Sequence, residues 1–359
     1  MSVRLKKLSE QTIVITGASS GIGLVTARAA ARRGARLVLA ARNEEALRLV
    51  AGEINAAGGA CAYVVCDVGK EEDVRRVAEE AVGRFGGFDT WVNNAGVSIY
   101  GRVLEVSNED HRRMFETNYW GVVHGSRVAC EHLRARGGAL INVGSVLSDR
   151  AIPLQGTYCA SKHALKGFTD ALRMELEHDG APVSVTTIKP SAIDTPYRAH
   201  AKNYMDVEPL NPPPVYAPET VAEAILHCCE TPERDVYIGG GGKALSVAEK
   251  YAPRLSDKAM ETFMFEAQQQ DGAGGARGDG GLYEASGELK ERSGDDIYVS
   301  ESSLYTKASL HPVLTGALFV GAGLATAALV NSRRTKADAH ARPKAERAWP
   351  SAAGLPAEG

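Results

Sequence analysis

The chain has 359 residues, 44% hydrophobic and 24% charged, with a formal net charge of −3. That composition suits one large α/β domain with residues to spare, and the charge balance gives no bulk attraction to nucleic acid, so no such partner is expected. Six cysteines without a C-x-x-C pair, and nine histidines without metal-ligand spacing, argue against a structural zinc, a disulfide framework or any bound metal.

The amino terminus carries basic residues but no apolar run of signal-peptide length, which predicts a cytoplasmic main domain. The first strand-like run is TIVIT (12–16), β-branched and without a polar break, as a strand buried on both faces requires. It leads into TGASSGIG (16–23). Gly17 permits a tight exit from the strand, and Gly21 and Gly23, flanking Ile22, let backbone approach a diphosphate. The helix that follows offers free N–H groups and its positive dipole end to phosphate, with Ser19 and Ser20 as hydroxyl donors. A glycine trio alone is weak, since tight turns use glycine anyway; between a buried strand and a helix it predicts nucleotide binding.

RLVLAA (36–41) is the next strand. An NAD site usually has an acidic residue near its end for the ribose 2′-hydroxyl. Ala41 and Arg42 stand there instead, which favours a 2′-phosphate and hence NADP(H). The competing reading pairs Arg42 with Glu45 on the surface. Helical patterns over 43–57, 70–85, 109–134, 158–178 and 218–230 alternate with strand-like runs at 61–68, 88–96, 138–145, 183–190 and 235–240. This rhythm predicts a Rossmann-like doubly wound parallel sheet in a three-layer αβα arrangement, with a ligand crevice at the carboxyl ends of the strands. Within the 158–178 helix, Tyr158 and Lys162 share one face. A nearby ammonium favours phenolate and would pull the tyrosine pKa down. By spacing alone, a surface tyrosine beside a surface lysine is the commoner arrangement.

Taken together, TGASSGIG, NNAG (93–96), Asn118 in TNYWG, Ser145 in INVGS and Tyr158/Lys162 in YCASK resemble the short-chain dehydrogenase/reductase family, in its order and approximate spacing over residues 8 to 240. The resemblance implies a single Rossmann-like domain with about seven strands, forming a homo-oligomer. It implies that Tyr158 acts as general acid or base, and that Lys162 binds the nicotinamide ribose and tunes Tyr158. Ser145 would hold the substrate oxygen, and Asn118 would anchor a proton-relay water. Asp67, with Val68 beside it, would meet the adenine. Asn94, Ala95 and Gly96 would line the ribose side, and Pro190, Ile193 and Thr195 the nicotinamide carboxamide. Pro190-Ser191 departs from the family's usual Pro-Gly, and Gly144 stands where a serine is frequent. Residues 191–217, Pro-rich and carrying Tyr197, Tyr204, Met205 and Tyr216, read as a mobile lid on the substrate side.

The organisation expected is a catalytic domain over 1–267 and a flexible polar, Gly-rich linker over 268–308. A hydrophobic, candidate membrane-associated helix at 309–332 and a basic disordered tail at 333–359 follow. The run 312–330 is nineteen residues without a charge, near the length a bilayer core takes, though rich in Ala and Gly. Its basic flank would stay cytoplasmic, as would the catalytic domain, and one spanning helix cannot satisfy both. Burial against the domain or a partner subunit is the competing reading. The activity expected is NADPH-dependent reduction of a lipophilic ketone or aldehyde, with a small-molecule carbonyl/alcohol pair as partner. A non-catalytic NADP-binding sensor or scaffold, and an NAD-linked alcohol dehydrogenase, are the alternatives.

Overall fold

A computed structural model of the chain describes residues 3–269, 278–285, 289–312, 315–316 and 326. Seven parallel strands form the central sheet: β1 (Thr12–Thr16), β2 (Arg36–Ala41), β3 (Ala60–Val65), β4 (Thr90–Asn93), β5 (Gly138–Val143), β6 (Val183–Pro190) and β7 (Asp235–Ile238). Their spatial order is β7-β6-β5-β4-β1-β2-β3, so the order reverses between β1 and β4. Alternate residues of each strand feed opposite cores. Ile13, Ile15, Leu37, Leu39 and Ile141 join one; Val14, Val38, Trp91, Leu140 and Val185 join the other. That is the period-two consequence of a pleated strand covered on both faces. Each fully buried Ile or Leu contributes about 1.5–3 kcal/mol relative to exposure, which explains why the strand runs carry no polar break.

The helices α1 (Gly21–Arg32), α2 (Glu44–Ala56) and α7 (Pro218–Glu230) close the first core through Leu24, Leu47 and Ile225. On the other face, α3 (Glu71–Phe85), α5 (Gly121–Arg136) and α6 (Gly156–His178) contribute Val77, Val128, Leu133 and Leu176. Local signals set several ends: Asn43 caps α2 by accepting from Ala46 N–H at 3.0 Å, and Gly86, left-handed at φ +77°, ends α3. The helical stretch expected over 109–134 is continuous but carries a π-helical turn. Helix α4 (Asn108–Phe115) passes into a π-helical turn at Glu116–Trp120 before α5 begins. All six cysteines are buried with free thiols.

Beyond β7 the chain adds α8 (Gly240–Tyr251), α9 (Pro253–Ala267) and α10 (Leu304–Leu310). Where the sequence predicts a flexible connector over 268–308, the described residues are docked: Val299–Ser300 pairs with Val215–Tyr216, and Leu282 is fully buried. The docking rests on long-range partners, which composition does not report. Residues 1–310 form one compact unit and 311–359 a second. Among the described residues, no helix is long and apolar enough to cross a membrane. The apolar run at 312–330 and the tail at 333–359 lie almost wholly outside the described residues.

Candidate active site

Two cavities meet at the carboxyl ends of the strands. The first, about 180 Å³, follows the β1–α1 turn and is lined by Gly17, Ser19, Ser20, Gly21 and Ile22. Arg42, Asp67 and Val68 come from the ends of β2 and β3, and Asn94, Ala95 and Gly96 from the end of β4. The sheet order explains the convergence, because β4, β1, β2 and β3 are consecutive neighbours. The glycines are sterically required. A Cβ on Gly23 would lie 2.2 Å from the Gly17 carbonyl oxygen, and one on Gly17, at φ +65°, 2.7 Å from Ala95 Cα. Asn94 fixes the seam by donating through Nδ2 to the carbonyls of Thr16 (2.9 Å) and Gly17 (3.1 Å).

The ionic groups of this cleft have protein partners. Asp67 accepts from Gly69 N–H at 3.0 Å and from Arg113 Nη2 at 2.8 Å. Burial works to raise its pKa, but these donors outweigh it and hold the carboxyl below its ordinary value. Glu45 pairs with Arg48. Arg42 instead donates to main-chain carbonyls of Gly281, Leu282 (3.4 Å) and Tyr283 (3.0 Å). Its pKa is lowered, chiefly by burial.

The second cavity, about 390 Å³, opens beside the first and is lined by Ser145, Gln155, Tyr158 and Lys162 at one end and mainly by apolar residues elsewhere, with Asn94, Ser191, Thr195 and Asn211 among them. Ser145 follows β5, and its Oγ accepts from Leu147 N–H at 3.0 Å. With that lone pair used, its proton is free to point at the Tyr158 oxygen. Lys162 is buried and donates to the Val143 carbonyl at 2.9 Å, its Nζ 5.6 Å from the Tyr158 ring centroid. Asn118, on the π-helical turn, is held by Val97: Oδ1 accepts from its N–H and Nδ2 donates to its carbonyl, both at 2.9 Å. Nδ2 also donates to Ser161 Oγ at 3.1 Å. Insertion of a π-turn is a recognised way of turning one helical side chain toward a functional site.

The spacing argument expects Lys162 to make Tyr158 more acidic. In the protein's own field the phenol moves the other way, up to about 12, because burial penalises phenolate more than the Ser145 and Tyr197 hydroxyls stabilise it. Burial likewise lowers Lys162 to about 8. Lys162 thus keeps most of its charge at neutral pH, but its attraction does not outweigh the desolvation of the phenolate.

Pro190, Ile193 and Thr195 sit on the segment leaving β6 and line the cavities with Ile22. Ser191 Oγ donates to the Ile238 carbonyl at 2.6 Å, so the departure from Pro-Gly is absorbed by β7. The segment expected to be a mobile lid is pinned by two-residue strands: Lys202–Asn203 pairs with Ile99–Tyr100, and Ala192–Ile193 with Val215–Tyr216. Of its tyrosines only Tyr197 lines a cavity, its ring edge-on to Tyr158 with centroids 5.6 Å apart and its hydroxyl donating to Ser98 Oγ at 2.7 Å. Tyr204 turns away to Asp110.

Several residues here had no motif to announce them. Tyr100 Oη and Thr117 Oγ1 are buried polar atoms with no partner among the described residues, one lining each cavity. Leu245, Met260 and Met264, from α8 and α9, form the far wall of the larger cavity. The glycine-walled cleft, with its orphaned Thr117 hydroxyl and its cationic Arg42, fits a nucleotide carrying phosphate groups.

The short chain dehydrogenase family matches residues 11–205. The chain is 49% identical over 322 residues to "Uncharacterized oxidoreductase YxnA" of Bacillus subtilis, covering 89% of this chain and 90% of that one. It is 38% identical over 187 residues to "11-beta-hydroxysteroid dehydrogenase A" of Sesamum indicum, 52% of this chain and 53% of the relative. Among solved structures, it is similar to an alcohol dehydrogenase from Thermococcus sibiricus complexed with 5-hydroxy-NADP (TM-score 0.57, 29% identity, 64% of this chain and 95% of that one). It is also similar to a short chain dehydrogenase/reductase from Burkholderia phymatum in complex with NAD (TM-score 0.59, 26% identity, 76% and 99%).

Proposed function

The chain belongs to the short-chain dehydrogenase family and is an oxidoreductase of that family, and on that premise we propose that it reduces a lipophilic ketone or aldehyde with NADP(H). The observation that carries this reading is the meeting of Ser145, Tyr158 and Lys162 in a mainly apolar cavity, beside a glycine-walled nucleotide cleft.

When bound, the nicotinamide supplies or accepts the hydride. The chain's own residues handle the oxygen and its proton. Tyr158, kept protonated through neutral pH by burial, donates its phenolic proton to the carbonyl oxygen of the substrate. Ser145 donates a second hydrogen bond to that oxygen as negative charge develops on it. Lys162, anchored by the Val143 carbonyl, would hold the nicotinamide ribose, and its charge would offset the phenolate left behind. Arg42 would hold the 2′-phosphate, with no acidic residue at that strand end to repel it.

The cavity supports the substrate class. Tyr100, Leu147, Ile152, Leu245, Met260 and Met264 offer an apolar enclosure with thioether side chains that adapt to an irregular body. One carbonyl on a bulky apolar frame fits it, in keeping with the hydroxysteroid dehydrogenase among the relatives. The test is NADPH consumption against a panel of bulky and short ketones and aldehydes, for wild type and Tyr158→Phe. Turnover of bulky apolar ketones that is lost in the variant supports the reading. Turnover of none, or turnover indifferent to Tyr158, removes it.

A further inference from the structure

The described residues that follow α9 return across the nucleotide cleft. Gly280, at φ +53°, turns the chain so that Gly281 N–H donates to the His200 carbonyl at 2.8 Å. The next three carbonyls converge on Arg42: Gly281 on Nη2, Leu282 (3.4 Å) and Tyr283 (3.0 Å) on Nη1. The Leu282 carbonyl also accepts from Arg113 Nε at 3.1 Å. Further on, the Lys290 carbonyl accepts from Gly21 N–H, at the start of α1, at 2.8 Å. Backbone oxygens of one segment thus bear on both the guanidinium and the turn that the sequence assigns to phosphate. Two side chains anchor the first contact. Leu282 is fully buried in a cluster with Val97, Ile99, Val106, Met114 and Tyr158, and Tyr283 donates its hydroxyl to Asp110 at 2.5 Å.

We propose that residues 281–283 set the cofactor selectivity of this chain: their carbonyl oxygens hold the Arg42 guanidinium, and a dinucleotide carrying a 2′-phosphate binds only by taking it from them. The inference rests on the reading of Arg42 as the 2′-phosphate ligand. Neutral carbonyls satisfy the guanidinium's hydrogen bonds without cancelling its charge. A phosphate dianion offers charge-assisted, bidentate bonds roughly twice as strong as neutral ones, so the exchange is downhill at Arg42 itself. It is opposed by the anchoring of Leu282 and Tyr283. Apparent affinity for NADP(H) is therefore reduced by the fraction of molecules in which Arg42 is released. A 2′-hydroxyl brings no charge to that exchange and leaves the Arg42 contacts in place, so NAD(H) escapes this reduction. The Lys290 carbonyl on Gly21 lies on the diphosphate side and opposes both cofactors alike.

The experiment measures the dissociation constants of NADPH and NADH for the full chain as wild type, Leu282→Ala, Tyr283→Phe and Arg42→Ala. Loosening the segment is expected to tighten NADPH about five- to tenfold and NADH by less than about twofold, as release of a minor competent state requires. Hydrogen exchange at residues 281–285 is expected to speed up when NADPH binds and to stay unchanged with NADH. Equal tightening of both cofactors, no tightening of either, or slower exchange at 281–285 with NADPH overturns the proposal. If Leu282→Ala proves unfolded, Tyr283→Phe, which removes one hydroxyl from a partly exposed ring, carries the same comparison. Arg42→Ala keeps the two claims apart. An unchanged ratio of NADPH to NADH affinity in that variant removes Arg42 as phosphate ligand, whereas a collapsed ratio with inert Leu282 and Tyr283 variants removes only the segment's role.

Discussion

The nucleotide cleft and the substrate cavity share Ile22, Asn94, Gly96, Thr195 and Tyr197, yet they are assembled by different rules. Most of the cleft comes from residues within a few positions of the carboxyl ends of β1 to β4, so the sheet order alone brings them together. The cavity takes its Ser145–Tyr158–Lys162 end from β5 and α6 but its far wall from Leu245, Met260 and Met264, on helices added after the last strand of the central sheet. Chemistry placed on strand ends comes with the topology; the shape of the substrate space is set by appended pieces.

The largest expected effect lies where the two spaces meet. Tyr158→Phe should lower kcat by about 10³-fold, within the range for a positioned acid, with NADPH affinity preserved; loss of cofactor binding instead would mean that the phenol builds the cleft. Ser145→Ala should cost about 10²-fold in kcat, as removal of one donor to a developing oxyanion does, and a pure KM effect would reassign it to ground-state binding. Two substitutions then probe each side separately. Arg42→Ala should weaken NADPH about tenfold or more and leave the KM of the ketone unchanged. Met264→Trp should raise the KM of a bulky ketone about tenfold by filling the far wall and leave NADPH affinity unchanged. Crossed effects in steady-state kinetics would erase the distinction between the two spaces.

The smallest effect is in stability against pH. Lys162 is depressed to about 8 in the folded chain, below the value of about 10.4 for the unfolded one. Its charged form is therefore disfavoured by folding, and wild-type stability falls as pH drops from about 10 through 8. Tyr158, raised to about 12 against about 10 unfolded, acts in a higher window: stability falls as pH rises from about 10 to 12. The Tm of Lys162→Met relative to wild type should improve by a few degrees as pH is lowered from about 10 to 8; a pH-independent difference would show that Lys162 is not desolvated as described.

Much of this protein was legible before folding. The unbroken apolar runs, the glycine turn and the alternating helices fixed a parallel sheet, because a strand buried on both faces has few compositions open to it. Gly17, Gly23, Asn94, Ser145, Tyr158 and Lys162 were readable for a related reason: each answers a local steric or chemical demand at a strand end or within one helical turn. What only the tertiary structure decided depends on partners far apart in the chain. Sequence spacing predicted an acidified Tyr158, but burial among Tyr197, Leu282 and their neighbours reversed the direction. Gly-rich composition predicted an open linker, but the carbonyls of 281–283 are bound to Arg42, some 240 positions earlier. Backbone carbonyls are the same in every residue, so no pattern of side chains announces where they will be aimed. Desolvation likewise belongs to the assembled surroundings of a group and not to its neighbours in sequence.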